Sequence, residues 1–281
     1  MQSAGLCAKI PPVADTRYEV MPFTSVEAQV AQVSEPVRLT ITTSPKHGID
    51  HSLDFAERIH GAGHPLTLHV AARMVRSAEH LDEILTRAHE LEIDDLFVIS
   101  GDAPEQLGPY PGAGEVLDLI AAHPLRPREL GIGAYPEGHP LIAQAVLDEA
   151  LAAKARVADY MVTQLCFDPK VLLAWLDGVR ARGIALPLFV GAAGPVERRK
   201  LLEISVKIGV GPSLRYLRKQ RGISTLFRSP ADSATRFHDM LTPHLGDPGR
   251  EIAGFHFFTF NELVATWQWH EQRTPTAAAG R

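Results

Sequence analysis

Short apolar runs recur along the chain, and most are separated by stretches in which Leu, Ala, Val and Ile have helical spacing. The predicted strands are Tyr18–Pro22, Val37–Thr43, Leu66–Ala71, Leu96–Ser100, Leu130–Tyr135, Tyr160–Phe167, Leu188–Ala193 and Phe255–Phe260. Runs such as FVIS and PLFVGAA are continuously apolar, which is typical of parallel strands covered on both faces. Eight strand–helix units predict a single-domain α/β fold, the (β/α)8 TIM barrel, with functional residues just beyond the strand ends.

The segments between the strands supply the outer helices of such a barrel. The predicted helices are Ser52–Gly61, Ala78–Leu91, Gly114–Ala122, Leu141–Lys154, Pro169–Arg182, Val196–Gly209 and Ala231–Leu245. Ser77 and Asp168 are residue types that cap helix N-termini, and a proline suits the first helical position after Asp168. The basic, glycine-bounded stretch Gly209–Arg228 is interpreted as an extra helix or as a lid over the rim.

Composition favours one globular catalytic domain. The 281 residues are 45% hydrophobic and carry a formal charge of −5, which suits one large core in a soluble protein. Residues 1–17 are interpreted as a flexible N-terminal arm, because they resemble neither a signal peptide nor a transit peptide. Residues 18–270 form the predicted barrel and 271–281 a disordered tail. No apolar stretch approaches the roughly 20 residues of a transmembrane helix.

Several classes of protein lack support. Lysines and arginines are scattered, which disfavours nucleic acid as a partner. Cys7 and Cys166 are the only cysteines, so neither a disulfide framework nor a cysteine metal site is supported, and a cytoplasmic location fits. The 13 histidines form no HxH or HExxH motif, and no metal site is predicted. Motifs for Rossmann-type dinucleotide binding, P-loop chemistry and serine hydrolysis are absent.

Polar residues occur at strand ends where apolar residues would be easier to bury. Glu19 in YEVMP has apolar neighbours, so we expect it to point into the barrel mouth, where desolvation would raise its pKa toward that of a general acid. The alternative is a carboxylate paired with Arg or Lys inside the barrel. Gly101 and Asp102 in ISGDAP are either a ligand-facing turn or an ordinary strand-ending turn.

Further candidates lie at the third, fifth and sixth strands. In AYPEGHP, two prolines stiffen a loop that carries Tyr135, a carboxylate and His139, a combination that fits ligand binding. Gln164 follows the sixth strand in VTQLCFD. His69, inside the third strand, is either a donor to a ligand or a core histidine, which is the commoner case.

These strand-end segments resemble, in order and spacing, those of the methylenetetrahydrofolate reductase family. The segments are YEVMP, ISGDAP, GAYPEGHP, VTQLCFD and HFFTFN, and the match runs from about Tyr18 to Trp267. The resemblance implies a flavin-dependent barrel enzyme in which NADH or NADPH reduces FAD. The reduced FAD then converts 5,10-methylenetetrahydrofolate to 5-methyltetrahydrofolate.

The resemblance also implies residue roles. Glu19 matches the general acid, Asp102 a carboxylate that tunes the electrostatics of the site, and Gln164 a folate contact. Arg199 stands where an aromatic folate contact is common. The positions that match FAD contacts are Thr42, His69, Ser100, Gly101, Asp102, Tyr135, His139, Asp148 and Lys154.

One departure concerns the flavin directly. The family usually has Arg before Gly-Asp, whereas this chain has Ser100 and so lacks a fixed cation near the cofactor. Two alternatives therefore stay open: a flavin-independent reductase of the same fold, and a folate- or flavin-binding protein without turnover. The expected partner is a small-molecule substrate, with neither nucleic acid nor a membrane, and the chain is a possible homo-oligomer. The sequence does not discriminate NADH from NADPH.

Overall fold

Eight parallel strands pair in chain order, and the last strand pairs back onto the first to close a barrel. The computed structural model describes residues 16–103, 105–139, 141–196 and 230–273. The strands are β1 (Arg17–Val20), β2 (Arg38–Ile41), β3 (Leu66–Ala71), β4 (Asp95–Ile99), β5 (Glu129–Ala134), β6 (Tyr160–Thr163), β7 (Leu188–Ala193) and β8 (Ile252–Phe258). The predicted (β/α)8 fold is confirmed.

Helices follow the strands and cover their outer faces. They are α1 (Thr24–Val30), α2 (Gly48–His60), α3 (Ala78–Glu90), α4 (Ala113–Ala122), α5 (Gln144–Lys154), α6 (Pro169–Ala181), α7 (Pro230–Leu241) and α8 (Leu263–Glu271), with 3₁₀ turns at Ala72–Met74 and Thr242–His244. The predicted helix Val196–Gly209 lies almost wholly, and the Gly209–Arg228 segment entirely, outside the described residues. So do residues 1–15 of the predicted arm and 274–281 of the predicted tail.

Helices α1 and α8 were not predicted. Helix α1 has seven residues and buries only Val26 and Val30, which is too few to show a helical period. Helix α8 buries Thr266 and His270 beside its apolar residues, so its inner face is not an apolar stripe. The predicted caps were correct: Ser77 accepts a hydrogen bond from the His80 N–H, and Asp168 accepts one from the Lys170 N–H.

Strand β6 ends four residues earlier than predicted. The apolar residues after it pack at the rim of the barrel in a second hydrophobic cluster instead of extending the strand. This rim cluster comprises Leu165, Ala193, Val196 and Phe260, with Phe167 and Phe258 packed against it. An apolar run by itself does not reveal whether its last residues continue a strand or cover the rim.

The interior of the barrel has a charged floor. Arg17 Nη1 lies 2.6 Å from Asp95 Oδ2, and both side chains are 1% exposed. The same carboxylate accepts hydrogen bonds from Arg38, Thr67 and Tyr160, at 3.3, 2.7 and 2.7 Å. Arg17 was assigned to the flexible arm from the sequence, but it begins β1 and is fully buried. The sequence around Arg17 does not show that its side chain lies inside the barrel, because its ion-pair partner Asp95 is 78 positions away.

Aromatic rings complete this floor. The Arg17 guanidinium lies between the rings of Tyr160 and Phe189, 3.9 and 4.1 Å from their centroids, where cation–π attraction adds to the ion pair. Gly131 makes room for Tyr160, since a Cβ at position 131 would lie 2.2 Å from Cζ of that ring. The barrel is therefore a packed core at its amino-terminal end.

The outer face of β1 is attached to α8. Tyr18 points outward, its hydroxyl lies 2.9 Å from His270 Nδ1, and its ring packs on Phe257. Since side chains alternate along a strand, Arg17 and Glu19 share the inner face.

In the part of the chain that is described, no helix is long and apolar enough to cross a membrane.

We predict that Asp95→Asn strongly destabilises the fold. The substitution removes the nearer, fully buried carboxylate partner of Arg17 and leaves Glu129 at 3.4 Å, and breaking a buried ion pair typically costs about 3–5 kcal/mol of unfolding free energy. The matched control is Glu27→Gln, which removes the partner of Arg58 in an ion pair whose side chains are 29% and 43% exposed. Its cost should be about 1 kcal/mol or less. Urea unfolding curves of both variants test this, and equal losses would contradict a special role for the floor.

Candidate functional site

Glu19 lies on the inner face of β1 at the carboxyl end of the barrel. It is in register with Thr40 of β2 and Phe258 of β8, and its side chain is 18% exposed. The Thr259 hydroxyl donates a hydrogen bond to the Glu19 carbonyl at 2.5 Å. The side chain of Asn261 accepts one from the Met21 N–H at 2.8 Å. The end of β1 is thereby tied to the segment after β8, which fixes where Glu19 points.

Two histidines flank the carboxyl group. His256 Nε2 of β8 is 3.3 Å from Glu19 Oε2, and His69 Nε2 of β3 is 4.0 Å from the same oxygen. Both imidazoles are buried, and the ring of Phe97 packs against them with centroids 4.8 Å from His69 and 6.3 Å from His256. Among the described residues the partners of Glu19 are thus histidines, not the Arg or Lys of the alternative interpretation. No group of three His, Cys, Asp or Glu in the described chain could hold a metal ion.

Burial sets the protonation of this cluster. It raises the pKa of Glu19 to about 7, although the nearby His69 opposes the change. It lowers the pKa of His69 to about 4 and that of His256 to about 3, and in the second case the Arg17 charge adds to the effect. At neutral pH the imidazoles are uncharged while a substantial fraction of Glu19 carries a proton. Such a carboxyl group can donate a proton to a ligand in the mouth.

Three buried polar atoms around Glu19 have no hydrogen-bond partner among the described residues. They are Thr40 Oγ1, His69 Nε2 and His256 Nδ1. Buried polar atoms in folded proteins nearly always have a partner, so three unsatisfied atoms on residues that neighbour Glu19 are an unusual concentration. Their position beside the carboxyl group marks the mouth as a place where a polar molecule can bind.

The loop after β4 carries Ser100, Gly101 and Asp102. Gly101 has a φ of +87°, and a Cβ there would lie 2.8 Å from Cβ of Ala71, so contact with β3 already explains the glycine. Asp102 is exposed at the rim. Burial raises the pKa of Tyr135, and the negative charge of Asp102 adds to this effect. The β4 loop that carries Asp102 is therefore close to the β5 loop that carries Tyr135.

Hydrogen bonds within the protein hold this β4 loop. The Ser100 hydroxyl accepts from the Ala113 N–H at the start of α4, at 3.3 Å. Arg73, from the 3₁₀ turn after β3, donates its main-chain N–H to the Ser100 carbonyl and its Nε to the Ala103 carbonyl. A cation therefore does lie beside the Gly-Asp turn, but it comes from a different loop than the family pattern would suggest.

The loops after β5 and β6 also meet at the mouth. Tyr135 and His139 pack edge to face with centroids 5.6 Å apart. Glu137 is buried, and its carboxylate accepts hydrogen bonds from the main-chain N–H groups of Phe167 and Asp168 at 3.0 and 3.2 Å. Glu137 thus joins the β5 loop to the start of α6. The Gln164 side-chain oxygen accepts from the Leu165 N–H at 2.8 Å, which leaves the amide NH2 as its donor group.

The remaining predicted cofactor positions have hydrogen bonds or ion pairs within the protein. Asp148 pairs with Arg182 at 3.0 Å and also accepts a hydrogen bond from Gln144. Lys154 donates to the Gly133 carbonyl at 3.1 Å, and burial lowers its pKa to about 8. The main-chain N–H of Thr42 donates a hydrogen bond to the Val20 carbonyl, and its carbonyl accepts one from the Ser52 hydroxyl. The predicted contact Arg199 lies outside the described residues.

The FAD implied by the resemblance can be tested against these contacts. Its pyrophosphate carries two negative charges and needs cationic or N–H donors. Lys154 is the only Lys or Arg among the matched positions, and it is directed to a main-chain carbonyl, while Asp148 is paired within the protein and Ser100 accepts its hydrogen bond from α4. As described, these residues do not fit the charged half of FAD.

Sequence reasoning missed three functional neighbours of the site. His256 was noted only as part of the HFFTFN segment, although closure of an eight-stranded barrel places the last strand beside the first. Thr259 in the same segment bonds the Glu19 carbonyl. Arg73 had no signal of its own, because its role depends on how two loops pack.

Comparison with known proteins gives a family match. A model of the methylenetetrahydrofolate reductase family matches residues 18–209. "Methylenetetrahydrofolate reductase 1" of Schizosaccharomyces pombe is 32% identical over 125 residues, with 41% of this chain and 20% of the relative covered. The match to that curated relative thus spans about a fifth of its length.

Solved structures give weaker likenesses. A dihydropteroate synthase of Thermus thermophilus has a TM-score of 0.47 at 14% identity, with 93% of this chain and 94% of that chain covered. One of Xanthomonas albilineans has a TM-score of 0.46 at 12% identity, with 94% of each chain covered. Likenesses at this level carry no argument about the substrate.

We predict that one glutamate of the folded protein titrates near pH 7. Carboxyl 13C NMR of glutamate-labelled protein should show it, and Glu19→Gln should remove that resonance. His256→Phe should move the titration to higher pH, because an apolar ring replaces a polar neighbour and increases the desolvation of the carboxylate. His123→Phe, at the far end of α4, is the control. An unshifted titration in His256→Phe would mean that the 3.3 Å contact does not influence Glu19.

Proposed function

Because this chain belongs to the methylenetetrahydrofolate reductase family, we propose that it reduces 5,10-methylenetetrahydrofolate to 5-methyltetrahydrofolate at the barrel mouth. NADH or NADPH supplies the hydride, and Glu19 is the general acid. The observation that carries this proposal is the Glu19 carboxyl group, which lies at the mouth between two neutral histidines with its pKa raised by burial to about 7.

The reaction needs a proton as well as a hydride. The methylene carbon is bound to two nitrogens, and it becomes a good hydride acceptor when one carbon–nitrogen bond breaks and leaves an iminium ion. Protonation of the departing amine by Glu19 favours this step, since a neutral amine leaves more readily than an anion. His69 and His256 stay uncharged, so they do not repel the iminium cation.

Rim residues have supporting roles in the proposal. The amide NH2 of Gln164 is a donor for a carbonyl oxygen of the folate, since its side-chain oxygen already accepts from Leu165. The exposed Asp102 carboxylate contributes negative potential on the side where the iminium forms. FAD as the carrier of the hydride is a prediction supported by the resemblance alone.

A binding protein without turnover is the second candidate. It would use the same mouth for a folate but would have no need of a buried carboxyl group, whose retention costs folding stability. The purified protein, incubated with methylenetetrahydrofolate and NADH or NADPH, tests both candidates. Folate binding without product would favour the binding protein.

We predict that Glu19→Gln lowers the rate of folate reduction by about 10²–10⁴-fold, the usual contribution of a general acid. The amide keeps the shape of the side chain but cannot deliver the proton, so KM for the folate should change little. The matched control is Glu57→Gln on α2, whose side chain is 68% exposed, and it should retain the full rate. Equal rates in the two variants would remove Glu19 from the mechanism.

We predict that the rate of folate reduction falls as the pH rises above about 7, the pKa of Glu19. A general acid acts in its protonated form, so the rate should drop about tenfold per pH unit above that value. Steady-state rates with saturating NADH or NADPH give the profile. A rate that rises through the same range would indicate that Glu19 acts as a base.

A further inference from the structure

We propose that the hydride passes directly from C4 of the nicotinamide to the methylene carbon of the folate, with both substrates in the barrel mouth together and no resident flavin between them. This inference rests on the proposed function and specifies its hydride route. It follows from how the residues at the predicted flavin positions are used by the protein itself.

The charged groups at the matched positions do not favour a resident FAD. A resident FAD must hold a doubly negative pyrophosphate, but among the matched positions only Lys154 supplies a cation, and the Asp148 carboxylate is already paired with Arg182 at 3.0 Å. The Lys154 ammonium group donates to the Gly133 carbonyl at 3.1 Å. One ammonium group that already donates to a main-chain carbonyl, together with the exposed Asp102 carboxylate, provides little positive charge for a pyrophosphate.

The β4 loop is held by hydrogen bonds within the protein. Ser100 stands where a cation is expected, and its hydroxyl accepts a hydrogen bond from the Ala113 N–H. The nearby Arg73 directs its Nε to the Ala103 carbonyl at 2.9 Å. These contacts stabilise the loop in its present conformation. They would have to be exchanged for contacts with a cofactor.

The groups that line the barrel mouth differ between the Glu19 side and the β5 side. Around Glu19, the polar atoms Thr40 Oγ1, His69 Nε2 and His256 Nδ1 are buried and have no hydrogen-bond partner among the described residues. On the β5 side, Gly133 has no side chain, and a Cβ there would come no closer than 3.9 Å to the Tyr135 hydroxyl and 4.0 Å to Phe97. The β5 side of the mouth therefore has no side chain at position 133.

NADH and NADPH also carry a pyrophosphate, but the affinity that they require is different. A co-substrate that leaves in every turnover works with a KM between about 1 μM and 1 mM. A cofactor that stays bound through purification needs a Kd well below that range. A few cationic contacts are enough to bind a nicotinamide co-substrate transiently, but they are not enough to retain a resident FAD.

The proposed step balances. The hydride takes two electrons and one hydrogen from C4 of NAD(P)H, which becomes NAD(P)+. The methylene carbon accepts this hydride and becomes the methyl group. The bond from that carbon to the departing nitrogen breaks, and the nitrogen takes the proton of Glu19. Solvent then reprotonates Glu19, so each turnover consumes one proton.

The experiment follows the label. Protein is denatured and its supernatant examined for flavin by fluorescence. The same preparation is assayed with methylenetetrahydrofolate and NADH or NADPH carrying deuterium at C4, on each face in turn. We expect turnover without flavin, no gain in rate on adding FAD, and complete retention of deuterium in the methyl group for one face. Initial rates should give intersecting lines, as expected when both substrates bind together.

The outcomes separate this inference from the function it rests on. Turnover that requires FAD, parallel initial-rate lines, or loss of the label to solvent would overturn direct transfer while leaving the reductase activity in place, because the hydrogen on reduced flavin nitrogen exchanges with water. Absence of product with and without FAD would overturn the proposed function itself. Flavin at a molar ratio near one in the purified protein would also overturn direct transfer.

Discussion

The interior of the barrel is built around the buried ion pair of Arg17 and Asp95. This pair closes the amino-terminal end of the interior and joins β1 to β4 across the lumen. Because strand side chains alternate, anchoring Arg17 inside also places Glu19 inside, two residues nearer the mouth. A slip of one residue in β1 would turn both charges toward the helices and Tyr18 toward the lumen. Burying this pair is costly in itself, and its clearest benefit is to specify the register.

Closure of the barrel then completes the site. His256 and Thr259 reach Glu19 across 237 and 240 positions of sequence, through the pairing of β8 with β1. This pairing puts an imidazole and a hydroxyl at the end of the strand that carries the acid. Burial does the rest, since removal of water favours the uncharged form of both the carboxyl group and the imidazoles. The proton affinity of Glu19 is thus a property of the closed barrel and not of YEVMP alone.

The rim shows a different use of polar groups. Ser100, Arg73, Lys154 and Asp148 have their hydrogen bonds within the protein, where they hold loops and helices in place. The cluster of Glu19 with two neutral histidines, by contrast, lies at the centre of the mouth. A barrel can exchange binding groups at its rim while its central acid is retained, because the loops vary independently of the strands that support them.

Local patterns in the chain were enough to predict the strands, most of the helices and the position of Glu19 at the end of β1, because hydrophobic periodicity and strand-end polarity are local signals. They did not reveal that Arg17 is internal, that β6 stops at Thr163, or that His256 contacts the acid. Those three points follow from the folded barrel. An ion pair across the lumen, a rim cluster and a contact between first and last strand all depend on distances set by barrel closure, which no local pattern encodes.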